Sequence, residues 1–372
     1  MAKLTSRERW TLLLLGALYA AVVVPIGIHR GQDFAAHVRL SEQLLHHQPV
    51  YDVKPLFGAW WPPFSLLALA PFTLVAALSL PLAKACWALL GVTCIGWSLV
   101  RARAEVGRWG PVALAVAAVG VPLQRNFETL NINPELLALV MAATLDLQRG
   151  RDSRAGVWVG LAAALKIFPG LLLLYLLYRR RWRAVAVGAT VAVGATLAAL
   201  LPQGHADGMA TLRQWIEVSR AGAWTPSPGN VASIVAVWGG SHIAAIVVNL
   251  ACLLVVFWVL GHPRTEANVS RDVGGWVLLA VLLSPIAWIH YYLLAFPAWI
   301  AVLTRRPPVG DRRVWRAALG VAGVLTAGAL TYGPPAWRSS LYAVAIYAWG
   351  GVLLLFLLLL PPPLAERRPQ LT

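Results

Sequence analysis

Charge is scarce in this chain. Asp, Glu, Lys and Arg make up 12% of its 372 residues, where a soluble globular chain carries roughly 25%. Hydrophobic residues make up 59%, more than a soluble fold of this length can hide. Cysteine is nearly absent. Cys86, Cys94 and Cys252 all lie in apolar segments, so neither a disulfide framework nor a thiolate metal site is expected. Alternating strands are missing, which argues against a β-barrel. A Gly-Lys-Ser/Thr phosphate loop is missing too, since "GLAAALKIFPG" lacks that order. No small-residue cleavage site follows the first apolar run, so that run is read as a retained span. No internal repeat, linker or soluble domain is evident.

What remains is a series of apolar runs approaching the roughly 20 residues a helix needs to span a bilayer. Backbone groups in lipid must be satisfied within the segment, so the spans are helices. The expected fold is an all-α polytopic membrane protein, one integral-membrane domain over residues 1–372. The net charge of +16 is read as orientation rather than nucleic-acid binding. Basic clusters such as "RARAEVGR" (101–108), "RGRDSR" (149–154) and "RRRWR" (179–183) sit between apolar runs, and positive loops stay cytoplasmic. Twelve spans are proposed, near 10–28, 82–100, 110–123, 134–148, 155–166, 169–178, 184–201, 242–260, 273–288, 290–304, 314–332 and 342–360. Both termini are then cytoplasmic, and 22 of the 31 Lys and Arg lie on that side. The long outer-face segments are 29–81 and 202–241. The apolar stretch 61–80 would invert this asymmetry if it crossed. It is therefore read as a re-entrant or interfacial helix entered through Pro62 and Pro63. Pro169 and Gly170 are read as a break that folds 155–183 into a hairpin with Lys166 at its outward tip.

This topology gathers the unusual polar residues on one face. Asp33, His37, Tyr51, Trp60 and Trp61 lie in the first outer segment. Gln124, Arg125, Asn126, Glu128, Asn131, Asn133 and Glu135 lie in the second. Lys166 tips the hairpin, Asn230 and Ser233 lie in the large outer loop, and Trp288 and His290 border two later spans. Each also has a plain structural reading. Asp33 and the asparagines suit helix caps, the aromatics suit an interfacial belt, and Lys166 can snorkel to the headgroups. Together they suit transfer from a lipid-linked donor. Lys166 or Arg125 would bind the phosphate. A carboxylate would take the proton from an attacking hydroxyl.

The residues also carry a resemblance. "DF" at 33–34 followed by Tyr51, "WPPF" at 61–64, "AGVWVGLAAALKIFPGLLLLYLLYRRRWRA" at 155–184, Asn230-x-x-Ser233 and "SPIAWIHYY" at 284–292 occur in order. In these the chain resembles the C-type membrane glycosyltransferases of glycosyltransferase family 87, over roughly residues 10–305. The resemblance implies a GT-C-type fold with about 12 transmembrane helices. It implies an inverting, metal-independent glycosyltransferase, most plausibly a mannosyltransferase, without a cofactor. Its site would face outside the cytoplasm in a multi-pass cell-membrane protein. Its partners would be a polyprenyl-phosphate sugar donor, a lipid-linked or glycan acceptor and the bilayer. Asp33 maps to the base. Lys166, Arg125 and His290 are assigned to the donor phosphate. His37, Tyr51, Trp61, Asn131, Asn133, Asn230 and Trp288 are assigned to substrate. The chain departs from the family in three places. Trp61-Pro62-Pro63 replaces Tyr-Pro-Pro, Leu130-Asn131-Ile132-Asn133 replaces Gly-Gln-x-Asn, and His290-Tyr291 replaces a His pair. The alternative readings are a lipid-sugar transporter or flippase, which would need polar residues at mid-membrane, and a transferase using another polyprenyl-phosphate sugar.

Overall fold

The computed structural model describes residues 4–51, 61–222, 227, 229–261, 268–305, 307 and 311–360. Trp60 therefore lies outside the described residues, as do parts of both long outer segments. Nearly every described residue is helical, and none is in a strand. In chain order the helices are α1 (Ser6–Arg30), α2 (Gln32–Leu45), α3 (Pro63–Ala68), α4 (Ala70–Leu78), α5 (Leu80–Val106), α6 (Trp109–Ala118), α7 (Gly120–Thr129), α8 (Asn133–Gln148), α9 (Asp152–Leu165), α10 (Leu171–Tyr178) and α11 (Trp182–Leu200). They continue as α12 (Gly204–Gly222), α13 (Val231–Val237), α14 (His242–Gly261), α15 (Val269–Leu283), α16 (Phe296–Thr304), α17 (Arg312–Ala327), α18 (Pro335–Ala343) and α19 (Ile346–Leu359).

The apolar helices mark a membrane protein. Four helical stretches are long and apolar enough to cross a bilayer: Ser6–Arg30, Leu80–Val106, Trp182–Gln203 and His242–Val259. The pair α18 and α19, bent by 51°, makes a fifth if it is one span. On α1, Leu13, Leu14, Leu15, Leu18 and Val22 are all exposed, as a lipid-facing helix requires. The expected breaks have local causes. Segment 61–80 is two short helices, α3 and α4, with Pro63 and Pro71 in their first turns. The 155–183 stretch breaks after Leu165, turns through a 3₁₀ segment at Phe168–Gly170 and resumes as α10. The expected span 273–288 stops sooner, at Leu283, where Ser284 precedes Pro285 and adopts extended ψ.

Cα packing divides the chain into two compact units. The first is Met1–Ala104 with Leu123–Thr225, and the second is Glu105–Pro122 with Pro226–Thr372. In the first unit α1 opens with a capping box. Thr5 Oγ1 accepts from the Glu8 backbone N–H, and Glu8 accepts from the Thr5 N–H. Helices α9 and α11 make the closest pairing, with Gly160 laid against the backbone at Gly188. In the second unit the body of α15 is buried from Asp272 to Leu282. The last carbonyls of α19 are met by arginines. Arg305 donates to Leu357, Leu358 and Leu360, and Arg271 donates to Leu358. These bonds satisfy the acceptors that a helix end leaves open.

Candidate active site

The site is built where α1 meets α2 and α7 meets α8. Helix α7 ends in a tight reversal. The Asn131 N–H reaches back to the Asn126 carbonyl at 2.9 Å, and Leu130 takes a left-handed φ of 54°. This is a Schellman closure, in which glycine ordinarily takes the left-handed position. Leu130 holds that conformation because its side chain is gripped. It fits against Gly27 and Gly31, where an added Cβ would come within 2.7 and 2.5 Å of it. Its carbonyl accepts from Trp87 Nε1 at 3.1 Å. Leu130 stands where the family pattern has glycine, so the departure falls on the strained residue.

The turn delivers Asn131 to Asp33. Asn131 Nδ2 donates to Asp33 Oδ2 at 3.0 Å. Its Oδ1 accepts from Lys166 Nζ at 3.2 Å, from Asn133 Nδ2 at 3.1 Å and from the Ile132 N–H at 3.0 Å. Lys166 Nζ also donates to Asn133 Oδ1 at 3.3 Å, and Asn133 Nδ2 donates to Asn126 Oδ1 at 2.9 Å. One amide thus bridges a carboxylate and an ammonium, its N–H₂ turned to the anion and its oxygen to the cation. The two asparagines do not cap α8 with their side chains. Lys166 ends α9 in extended conformation and is buried, its Nζ 5.8 Å from the centre of the Phe168 ring. Next to it, Ser65 Oγ donates to the Leu165 carbonyl, which ties α3 to the end of α9.

Asp33 lies in the first turn of α2, where the positive end of the helix dipole favours a carboxylate. Burial pushes its carboxyl above the ordinary value. The Asn131 hydrogen bond, the Lys166 charge and a hydrogen bond from Thr129 pull it back down. One turn on, His37 Nδ1 donates to the backbone carbonyl of Asp33 at 2.5 Å. That bond fixes the tautomer and leaves Nε2 as an acceptor. Among the described residues, buried Nε2 meets no hydrogen-bond partner. Burial lowers the imidazole to about 4, the Asp33 bond opposes this and the Lys166 charge adds to it, so His37 is neutral near pH 7. The ring stacks on Trp61 with centroids 3.6 Å apart. Beneath lie Phe34, Phe72 and Trp87 in mutual aromatic contact.

The remaining candidates have other surroundings. Tyr51 donates to the Trp61 carbonyl at 2.8 Å and packs with Leu40, Leu44, Val50 and Leu66, which makes it a brace for Trp61. Arg125 donates to Glu128 Oε2 at 2.5 Å and stands outside the Asn131 network. In the second unit, Asn230 Oδ1 caps α13 at the Ser233 N–H, while Nδ2 donates to the Ser284 and Pro285 carbonyls. The Ala287 N–H meets Ser227 Oγ, and Tyr292 donates to the Gly229 carbonyl. Ser227, Gly229 and Asn230 are thereby stitched to the 284–292 stretch. His290 is buried there beside Tyr291, and Trp288 is half exposed. Among the described residues no group of three His, Cys, Asp or Glu side chains could hold a metal ion. Two contributors escaped the sequence reading. Thr129 gave no signal, being an ordinary helix residue. Phe168 sits two residues after Lys166 and was read only as part of the hairpin.

Residues 60–285 match the family model of glycosyltransferase family 87. That stretch takes in Trp61, Arg125, Asn131, Asn133, Lys166 and Asn230 and leaves Asp33 and His290 outside it. A polyprenol-phosphate-mannose-dependent alpha-(1-2)-phosphatidylinositol mannoside mannosyltransferase of Mycolicibacterium smegmatis is 31% identical over 301 residues, 71% of this chain and 65% of that protein. A polyprenol-phosphate-mannose-dependent alpha-(1-2)-phosphatidylinositol pentamannoside mannosyltransferase of Mycobacterium tuberculosis is 26% identical over 254 residues, 64% of this chain and 57% of its own length. This chain spans less than two thirds of the length of either relative. The family model, by contrast, covers more than half of this chain, and the chain belongs to glycosyltransferase family 87.

Proposed function

We propose that the protein transfers a mannosyl residue from a polyprenyl-phosphate donor to a lipid-linked acceptor. Transfer takes place on the extracytoplasmic face of the cell membrane, with inversion at the anomeric carbon. The acceptor class that the relatives' names suggest is a phosphatidylinositol mannoside. The observation that carries this reading is the bridge Asp33–Asn131–Lys166, a carboxylate and a cation fixed on one amide. In the reaction the acceptor hydroxyl attacks the anomeric carbon and gives its proton to Asp33. The bond from that carbon to the phosphate oxygen breaks, and polyprenyl phosphate leaves carrying the electron pair. Lys166 Nζ stands where it can receive that phosphate. Its two amide bonds, at 3.2 and 3.3 Å, are longer than the roughly 2.7–2.9 Å of a charge-assisted bond. A phosphate oxygen would offer it a bond of that charge-assisted kind. The Asn131 bond favours the ionised form of Asp33 and opposes, in part, the effect of burial.

Neutral His37 holds the Asp33 backbone and offers Nε2 to a sugar hydroxyl. Trp61, stacked on His37, gives the apolar wall a sugar ring needs. The test is to incubate the purified protein with several polyprenyl-phosphate sugars and a mannolipid acceptor, and to measure release of polyprenyl phosphate. Acceptor-dependent release from the mannosyl donor supports the reading. Translocation of the donor without release would mark a transporter instead.

A further inference from the structure

Beside the Asp33 bridge runs a second connection between the same two junctions. Arg30, the last residue of α1, approaches Glu128 Oε2 at 3.5 Å. Arg125, on α7, approaches the same oxygen at 2.5 Å. Gln124 Nε2 occupies the other oxygen at 2.8 Å. Glu128 is buried, with 8% of its side chain exposed, while Arg30 is 65% exposed and Arg125 27%. Two guanidiniums thus share one carboxylate, and these three side chains together keep one excess positive charge. Its place is set by the fold. Arg30 precedes Asp33 by three residues and Glu128 precedes Asn131 by three. The Arg30–Glu128 and Asp33–Asn131 contacts are therefore neighbouring rungs between the α1–α2 and α7–α8 junctions. Leu130, gripped by Gly27 and Gly31, sets the spacing of both rungs.

Arg30 ends α1, a helix long and apolar enough to cross a bilayer, and headgroup phosphates lie at such an end; Arg125 reaches the same carboxylate from α7. Guanidinium forks match phosphate oxygens in pairs, and Arg suits that recognition better than Lys. We propose that Arg30 and Arg125 form a second anion site that binds the phosphodiester of the lipid acceptor. The acceptor's sugar hydroxyl would thereby be held over Asp33. This rests on the transferase reading above and assigns the two phosphates of the reaction to different cations. The donor phosphate goes to Lys166 and the acceptor phosphodiester to the arginine pair. It also gives the site a reason to prefer a phospholipid-borne acceptor over an uncharged one.

The experiment compares two acceptors in phosphatidylcholine nanodiscs, a phosphatidylinositol mannoside and a neutral alkyl mannoside, each with the same polyprenyl-phosphate-mannose donor. The quantity read is the ratio of kcat/KM for the two acceptors. Arg30→Gln is expected to lower that ratio about tenfold, and Arg30→Lys to restore much of it. Arg30 is exposed and the Gln variant is expected to fold, which thermal unfolding checks. Arg125→Gln repeats the test from the other side of Glu128. A rise in donor KM in place of a change in the ratio would assign the pair to the donor phosphate and overturn the proposal. An equal loss with both acceptors would make the cluster a structural brace and overturn it too. Full transfer activity in Asp33→Asn would instead defeat the transferase mechanism, whatever the arginines do.

Discussion

Helix α8 is entered and left through the same kind of turn, and the two turns have been put to different uses. At its C-terminal end Gly150 takes the left-handed position with φ of 67°, and the Arg151 N–H closes onto the Asp146 carbonyl at 2.8 Å. Buried Asp146 is met by Arg151, by Arg154 and by Trp158 Nε1 at 2.9 Å. At its N-terminal end Leu130 takes that position instead, at a cost of roughly 1–2 kcal/mol. Asp33 and buried Lys166 are there bridged by the Asn131 amide. The first turn has unstrained backbone and fully answered charge, which is what a scaffold needs. The second keeps a strained backbone and holds its carboxylate and cation across one amide, an arrangement that persists where the surroundings enforce it.

Mutations can sharpen this contrast. The largest effect is expected at Asp33. Asp33→Asn keeps shape and hydrogen-bonding reach and should lose at least about 10²-fold in turnover, the low end of what positioned general-base catalysis contributes. Steady-state kinetics with saturating donor would show it. Lys166→Met should raise the donor KM by about tenfold, the equivalent of roughly 1.4 kcal/mol of phosphate binding. Donor titration against a fixed acceptor concentration reads that. His37→Ala removes the grip on the Asp33 carbonyl and the stack on Trp61 but not the base. Turnover should fall by about 3- to 10-fold, of the order of one neutral hydrogen bond. Asp146→Asn is the control at the other turn. It should leave the kinetics alone and lower stability by about 1–3 kcal/mol, read as an earlier thermal transition in detergent. A large kinetic defect in Asp146→Asn would erase the distinction between the two turns.

Much of this was legible in the sequence for simple reasons. Pro169 cannot continue a helix, so the break between α9 and α10 followed. Pro62 and Pro63 marked the start of α3. Pro71, overlooked beside them, marks the start of α4 just as clearly. Asp33 and Lys166 stood out because charges are rare near apolar runs. The bridge itself was not legible. Nothing in Leu130-Asn131-Ile132-Asn133 says that the chain reverses there, because the residue in the left-handed position is leucine rather than the glycine that signals such a turn. Only its fit between Gly27 and Gly31, about a hundred residues earlier, explains the conformation. The pairing of Arg125 was not legible either, since nothing in the sequence singles out Glu128, three residues on, as the carboxylate that it shares with Arg30. Asn230, read as a substrate residue, caps α13 and donates to the Ser284 and Pro285 carbonyls, contacts that its sequence surroundings did not announce.

The most direct test of the general-base assignment is the pH dependence of a single turnover with preloaded donor. Burial raises the Asp33 carboxyl, while Asn131 and Lys166 restrain it, and only the ionised form accepts a proton. The rate should therefore fall as pH drops, along a limb lying above the roughly 3.9 of an ordinary aspartate. Removing the Lys166 charge should move that limb to still higher pH, since a lost cation favours the protonated acid. The limb should vanish in Asp33→Asn, leaving a slow, flat residual rate. The same limb persisting in Asp33→Asn, or moving to lower pH in Lys166→Met, would contradict the assignment of Asp33 as the base.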